Sequence, residues 1–142
     1  MVPLIEHHVS LVMQALMNIG YFTEAPKYTA WSLHFDGGML KKLGFRAAAS
    51  LQNGVPLIVL PDDFQFPDEF NVLTHEAIHL AQIITGKMVI IPGTDLTEWC
   101  GVKYKNIPAD SKDYFAGQPW EMEVLEIEQR VNVELHRLIG QQ

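Results

Sequence analysis

The amino-acid sequence predicts a single α+β domain over residues 1–142. Apolar residues recur at helical spacing near both ends of the chain and in its middle, and shorter apolar runs bounded by glycine, proline and asparagine lie between them. Hydrophobic residues make up 48% of the chain and charged residues 19%, a composition typical of a globular protein with a sizeable core. We expect the helices to pack on a small twisted sheet of about three or four strands.

The first predicted element is a helix over residues 3–19, which Gly20 ends. His7 and His8 are adjacent on it and therefore point about 100° apart, which is a poor arrangement for binding one metal. Both are expected to face solvent. After this helix, residues 28–35 alternate loosely in polarity and predict a strand that ends in a turn at residues 36–38. His34, near the end of that strand, is expected to be a core or hydrogen-bonded residue, with a substrate contact as the alternative.

Two further strands are predicted on either side of Asn53-Gly54, over residues 45–51 and 55–60, because Asn-Gly between apolar runs is typical of a β-hairpin. Pro56 has no backbone N–H, which favours an edge position for the second strand, or a place at its first paired residue. A free edge there would hold an extended peptide by main-chain hydrogen bonds.

The central predicted helix runs from about Asp68 to Thr85 and contains His75-Glu76-Ala77-Ile78-His79. At about 100° per residue, His75 and His79 lie one turn apart on the same side, where both imidazoles can bind one Zn²⁺. Glu76 flanks the pair and is placed to act as general base toward a metal-bound water. This is the His-Glu-x-x-His spacing of zinc hydrolases.

The last predicted helix, residues 120–139, supplies the candidates for a third metal ligand. Glu121 and Glu123 lie about 200° apart around its axis, so only one of them can face the metal. Glu121 shares its side of the helix with Leu125 and Ile139 and is expected to be the more buried of the two, whereas Glu123 shares its side with charged residues and is expected to lie on a solvated face. Glu121 is therefore the predicted ligand. Glu123 as the ligand, or both glutamates facing water, are the alternatives. Glu128, on the same side as Glu121, is a candidate to orient a histidine.

Between the two helices, residues 86–119 are the least regular part of the chain, with short strands predicted near residues 87–91 and 98–104. A long connection of this kind is often functional, and here it would form a lid or a wall of the site. Tyr104 and Tyr114 lie in it and are candidates to donate a hydrogen bond to an oxyanion; packing is the alternative for each.

Charge and composition exclude several classes of function. A formal net charge of −7 and the lack of a basic run argue against binding to nucleic acid or to an anionic membrane surface. No stretch approaches 18 uncharged apolar residues, and the N-terminus does not resemble a signal peptide, so a cytoplasmic protein is expected. The single cysteine excludes an internal disulfide.

Three segments together carry a family resemblance: residues 75–82 (HEAIHLAQ), residues 98–104 (EWCGVKY) and residues 119–124 (PWEMEV). They resemble the gluzincin class of zinc metallopeptidases, and more closely the short metallopeptidases of phage and bacterial genomes with HExxHxxQ, Trp-x-Gly-x-x-Tyr and Pro-aromatic-Glu-x-Glu segments. The likeness covers roughly residues 70–130. The chain departs at Leu125, where larger gluzincins often have an acidic residue, and at Val124, where the smaller family often has alanine.

The resemblance implies a zincin-like fold with zinc held by His75, His79 and Glu121, and Glu76 as the base. The function expected from it is zinc-dependent hydrolysis of peptide bonds in a peptide or protein substrate. A non-catalytic zinc-binding or interaction module is the first alternative, although the presence of Glu76 argues against it because a structural site needs no base. A metal-free domain with a coincidental motif is the second.

Overall fold

A computed structural model describes all residues, 1–142, and contains four helices and six short strands. The helices are α1 (Val2–Asn18), α2 (Gly37–Leu43), α3 (Phe70–Ile84) and α4 (Pro119–Gly140). The strands are β1 (Ser32–Phe35), β2 (Ala48–Gln52), β3 (Val55–Leu60), β4 (Met88–Ile90), β5 (Leu96–Trp99) and β6 (Val102–Lys105). The predicted α+β class is confirmed, and α1, α3 and α4 lie close to the three predicted helices.

The main core lies between the three long helices and the first sheet. Helix α1 packs on both α3 and α4, and α3 also packs on β2 and β3. On α3, the residues of this core lie mainly on the side away from His75 and are fully buried: Leu73, Ala77, Ile78, Leu80 and Ala81. Each large apolar side chain buried in this way stabilises the fold by about 1.5–3 kcal/mol, so α3 is held firmly from behind.

The first sheet has the order β1-β3-β2, in which β1 is parallel to β3 and β2 is antiparallel to it. The β2–β3 hairpin turns at Asn53 and Gly54, whose φ angles of 51° and 75° are those of a two-residue type I′ turn. The predicted hairpin is therefore confirmed.

The predicted edge position of β3 is wrong, because β1 pairs with its other side and makes it the central strand. Pro56 fits there for a local reason. Val55 and Gln52 flank the two-residue turn and form a hydrogen-bonded pair, so Pro56, opposite Leu51, belongs to the next, non-hydrogen-bonded pair. The pairing with β1 begins only at Leu57. Neither β1 nor β2 therefore needs the N–H that proline lacks. Because β3 is central, the edge strand that lies beside α3 is β2.

The second sheet, with the order β4-β5-β6, was not predicted as a separate sheet. Residues 98–104, predicted as one strand, instead form most of the antiparallel β5–β6 hairpin. The chain reverses at Cys100 and Gly101, which both have positive φ, 49° and 87°. A cysteine in the left-handed conformation is uncommon, so this turn had no usual sequence signal.

The turn predicted at residues 36–38 is the start of helix α2. The Asp36 carboxylate accepts a hydrogen bond of 3.0 Å from the Met39 backbone N–H, which caps the helix, and Gly44 ends it with φ of 77°. Gly37 and Gly38 led to the prediction of a turn. A helix begins there instead, because the Asp36 side chain accepts a hydrogen bond from a free backbone N–H of its first turn.

The two histidines of α1 differ in exposure, so the prediction holds for only one of them. His7 is exposed, whereas His8 is only 5% exposed, and its Nε2 lies 2.8 Å from the Thr74 hydroxyl oxygen on α3. His34 is exposed on β1, with its Nε2 3.2 Å from the Ser32 hydroxyl. It is thus a hydrogen-bonded surface residue.

Candidate metal centre

Helix α3 presents His75 and His79 on one side, one turn apart, as the sequence predicted. Their imidazole centroids lie 4.8 Å apart, and the two Nε2 atoms are separated by 3.2 Å. The His79 side chain is 7% exposed and that of His75 is 26% exposed. The two ring nitrogens therefore converge on one point, which solvent reaches mainly past His75.

Helix α4 brings Glu121 to the same point from its first turn. Glu121 is only 3% exposed. One of its carboxylate oxygens lies 2.9 Å from the His79 Nε2, and the other lies 3.3 Å from the His75 Nε2. The structure thus brings together the three side chains that the sequence selected, and the group can hold a metal ion.

The spacing of these three side chains suits a four-coordinate metal. Bonds of about 2.0–2.1 Å to nitrogen and oxygen, at tetrahedral angles, separate ligand atoms by about 3.3 Å. With the Glu121 Oε1 atom as the ligand, the observed separations of 3.2 Å between the two Nε2 atoms, 3.0 Å to His79 and 3.3 Å to His75 are close to that value. A buried carboxylate with two imidazoles is therefore pre-arranged as three corners of such a site.

Glu123, the alternative ligand, points away from this cluster. Its carboxylate accepts hydrogen bonds from the Tyr21 hydroxyl at 2.6 Å and from the Gln82 side-chain amide at 3.3 Å, and it pairs with Lys87 at 3.3 Å. The expectation that it lies on a solvated face is wrong, because Tyr21 and Lys87 cover that side of α4.

The electrostatics of the cluster tie its members together. Burial favours the neutral forms of His79 and Glu121, but the hydrogen bond between the two side chains favours their charged forms. This bond and the negative charge of Glu76 raise the pKa of His79 to about 9. The hydrogen bonds from His75 and His79 lower the pKa of Glu121 to about 2. Glu121 has ion pairs only with these two histidines, so a metal ion that replaces the His79 proton would meet the buried negative charge of Glu121.

Glu76 lies beside the cluster without belonging to it. The residue is 8% exposed, and burial raises the pKa of its carboxyl group. Weaker effects in the opposite direction come from the two histidines and from the Ala49 backbone amide on β2. Glu76 is therefore a fourth buried ionisable group, positioned between the candidate ligands and the edge of the first sheet.

Of the two tyrosine candidates, the structure brings only Tyr114 to the cluster. Its hydroxyl donates a long hydrogen bond of 3.4 Å to the Glu121 carboxylate, and burial raises the pKa of this phenol. Tyr104 lies on β6 and packs edge-on against Trp120, with ring centroids 6.0 Å apart. It makes no side-chain hydrogen bond to the cluster, and its contacts are those of a packing residue.

No known protein family, curated protein or solved structure matches the chain. The geometry of the cluster is thus the direct source of information about its role. In the same structure, no helix is both long enough and apolar enough to cross a membrane.

Two side chains lie behind the candidate ligands. Glu128, the predicted partner, has an oxygen 4.0 Å from the His75 Nδ1, which is too long for a hydrogen bond. Gln82, which was not predicted, lies 2.7 Å from the His79 Nδ1. Its position three residues after His79, on the same side of a helix, was the sequence signal that would have found it.

Proposed function

We propose that the protein is a zinc-dependent peptidase that hydrolyses peptide bonds at the site formed by His75, His79 and Glu121. The observation that supports this function best is the buried carboxylate of Glu76 next to three convergent ligand atoms. Three protein ligands leave the fourth position of a zinc site open for chemistry, and a carboxylate that is not a ligand is available as a base.

Zinc is the metal that best fits the donor set together with this base. Two imidazole nitrogens exclude a preference for Mg²⁺ or Ca²⁺, which bind oxygen ligands. Two histidines and one carboxylate also occur in sites for ferrous iron, but such a site does not need a buried glutamate beside it. When bound, Zn²⁺ supplies a Lewis acid that polarises a carbonyl group and makes a water molecule more acidic.

Glu76 would move the protons of the reaction. Its carboxylate takes a proton from the water whose oxygen attacks the scissile carbonyl carbon, and the carbonyl oxygen becomes negatively charged. The same residue then delivers that proton to the amide nitrogen as the C–N bond breaks, leaving a carboxylic acid and an amine. One side chain thus acts first as base and then as acid.

Tyr114 is the side chain best placed to stabilise the negative oxygen. Its hydroxyl lies 3.4 Å from Glu121, at the edge of hydrogen-bond range, so it can turn toward a substrate oxygen at little cost. Because burial raises its pKa, the phenol keeps its proton and remains a donor at neutral pH. Tyr104 is not included in this proposal.

The free edge of β2 is suited to bind the peptide. Ala49 and Leu51 belong to non-hydrogen-bonded pairs with β3, so their N–H and C=O groups point away from β3 toward the open edge. The Ala49 amide acts on the Glu76 carboxylate, which places this edge next to the base. An extended peptide added to β2 would therefore pass in front of the cluster.

The substrate would approach from the side of His75, the most exposed of the three ligands. Glu128, near His75, belongs to an open and nearly flat face of α4 that also includes Leu125, Gln129, Asn132, Val133 and His136.

The test is metal content by elemental analysis of the purified protein and of the Glu121→Gln and Glu123→Gln variants. We expect one zinc per chain in the parent and in Glu123→Gln, and at least a hundredfold weaker zinc binding in Glu121→Gln. The two variants lose the same charge two residues apart, so only the position differs. Equal zinc binding by both variants would refute the ligand assignment, and iron instead of zinc would refute the choice of metal.

Activity is tested on a mixed peptide library with the parent and Glu76→Gln, both loaded with zinc. We expect new amino termini with the parent and at least a thousandfold slower cleavage with the variant, at equal zinc content. A zinc-loaded parent that cleaves no peptide would contradict hydrolysis and favour a zinc-binding or interaction module.

A further inference from the structure

Gln82 is a fully buried polar residue at the back of the candidate metal centre. It lies on α3 three residues after His79, and its side-chain oxygen is 2.7 Å from the His79 Nδ1. Its side-chain nitrogen donates a hydrogen bond of 2.9 Å to the backbone carbonyl of Trp120, the residue directly before Glu121. One side-chain amide thus connects the two helices that provide the candidate ligands.

The hydrogen bond to Trp120 determines which way this amide faces. A backbone carbonyl can only accept a hydrogen bond, so it must receive the NH₂ group of Gln82. The Gln82 oxygen therefore faces His79 and can only accept, which requires a proton on the His79 Nδ1. The lone pair of the neutral ring is then on Nε2, the atom that faces His75 and Glu121.

Glu123 completes the arrangement by accepting from the same NH₂ group at 3.3 Å. It is itself held by the Tyr21 hydroxyl at 2.6 Å and by Lys87 at 3.3 Å. Both the oxygen and the NH₂ group of the Gln82 side chain therefore have hydrogen-bond partners. The orientation of this amide thus does not depend on a bound metal.

We propose that Gln82 is a positioning residue that fixes the metal-binding tautomer of His79 and holds the first turn of α4, with Glu121, in register with α3. This inference rests on the metal site of the proposed function. His75 has no equivalent support, since Glu128 is 4.0 Å away. Hydrogen-bond partners of this kind typically change metal affinity by about 10- to 100-fold.

The experiment compares zinc affinity, measured by competition with a chromophoric chelator, for the parent, Gln82→Met and Gln82→Glu. Methionine has a similar shape but no hydrogen bonds, and zinc affinity is expected to fall about 10- to 100-fold. Glutamate keeps an acceptor for the His79 Nδ1–H, and because it is buried beside the Glu123 carboxylate and the Trp120 carbonyl it should keep its proton and donate to Trp120, so affinity is expected to stay within about fivefold of the parent. Gln82→Met should also change the visible spectrum of bound Co²⁺, and Gln82→Glu should restore it.

Thr97→Val is the control, because Thr97 is another buried polar residue whose side-chain hydrogen bond, to Asn106, involves neither the candidate ligands nor Tyr114. It should lower the melting temperature of the metal-free protein, while zinc affinity stays within about threefold of the parent. Zinc binding by Gln82→Met within threefold of the parent would overturn the proposal. Zinc affinity in Gln82→Glu as weak as in Gln82→Met would overturn it as well.

These readouts separate the inference from the proposed function. A parent that binds zinc but cleaves no peptide refutes the peptidase proposal, while the affinities still decide the role of Gln82. A parent that binds no zinc overturns both.

Discussion

His8 makes the stability of the fold depend on pH. It is 5% exposed and lies edge-on to Phe66 and Phe70, at centroid distances of 5.6 and 5.9 Å. Burial, with a smaller effect from the neighbouring His7, lowers the pKa of His8 from 6.5 to about 4. The Thr74 hydroxyl donates to the Phe70 carbonyl and so accepts from the His8 Nε2–H. The folded protein therefore holds this ring neutral.

The sign of the effect follows from proton linkage. Between pH 6.5 and 4 the unfolded chain binds a proton at His8 that the folded chain does not, so the free energy of unfolding falls as the pH falls. Above about pH 6.5, the full contribution of the neutral His8 to the free energy of unfolding is present. With folded and unfolded pKa values of about 4 and 6.5, about 2 kcal/mol is lost by pH 5 and about 3 kcal/mol by pH 4.

The assay is urea unfolding of the parent, His8→Gln and His7→Gln at several pH values between 7.5 and 4. Glutamine keeps an N–H donor for Thr74 but does not titrate, so the parent should lose about 3 kcal/mol more than His8→Gln over this range. His7→Gln, which changes the exposed neighbour, should follow the parent. Parallel curves for the parent and His8→Gln would refute the reasoning.

Three further predictions concern the metal and the packing around it. Zinc at 100 times its dissociation constant should stabilise the parent by about 2.7 kcal/mol and raise its melting temperature, an effect that a chelator reverses; an unchanged melting temperature would contradict a site in the folded state. Val124→Ala removes two methyl groups from a fully buried position on α4 and should cost about 2 kcal/mol in chemical unfolding, with zinc affinity within about threefold of the parent. Gly101→Ala should cost about 1 kcal/mol because φ is 87° there, although nothing within 4 Å blocks the added methyl group; a neutral effect would show that this turn adapts.

The elements that the sequence predicted well are those specified by local pattern. Helices α3 and α4 follow from apolar residues at helical spacing, and the β2–β3 hairpin follows from Asn-Gly. The structure brings Glu121 rather than Glu123 to the two histidines, but not for the expected reason, because Leu125 and Ile139 on the side of Glu121 are exposed. The expectation that Glu123 faces solvent was also wrong, since its partners Tyr21 and Lys87 come from distant parts of the chain.

The elements that the sequence did not predict depend on contacts between distant segments. Strand β3 is central only because β1, more than twenty residues earlier, pairs with it. His8 is buried because Thr74, 66 residues away, faces it. The β5–β6 turn has a cysteine where a glycine or asparagine is usual, so its local pattern gave no signal.

His79 and Glu121 lie 42 positions apart in the chain, and the Cys100-Gly101 turn is exposed near the middle of the stretch between them. Its two ends are fixed because α3 and α4 both pack on α1. Residues inserted at this exposed turn would form a flexible loop, and doubling the length of such a loop costs only about 0.6 kcal/mol in closure entropy. An epitope or a small reporter sequence inserted between Cys100 and Gly101 is therefore expected to leave the helices and the candidate metal centre in place, which makes this turn suitable for an internal tag.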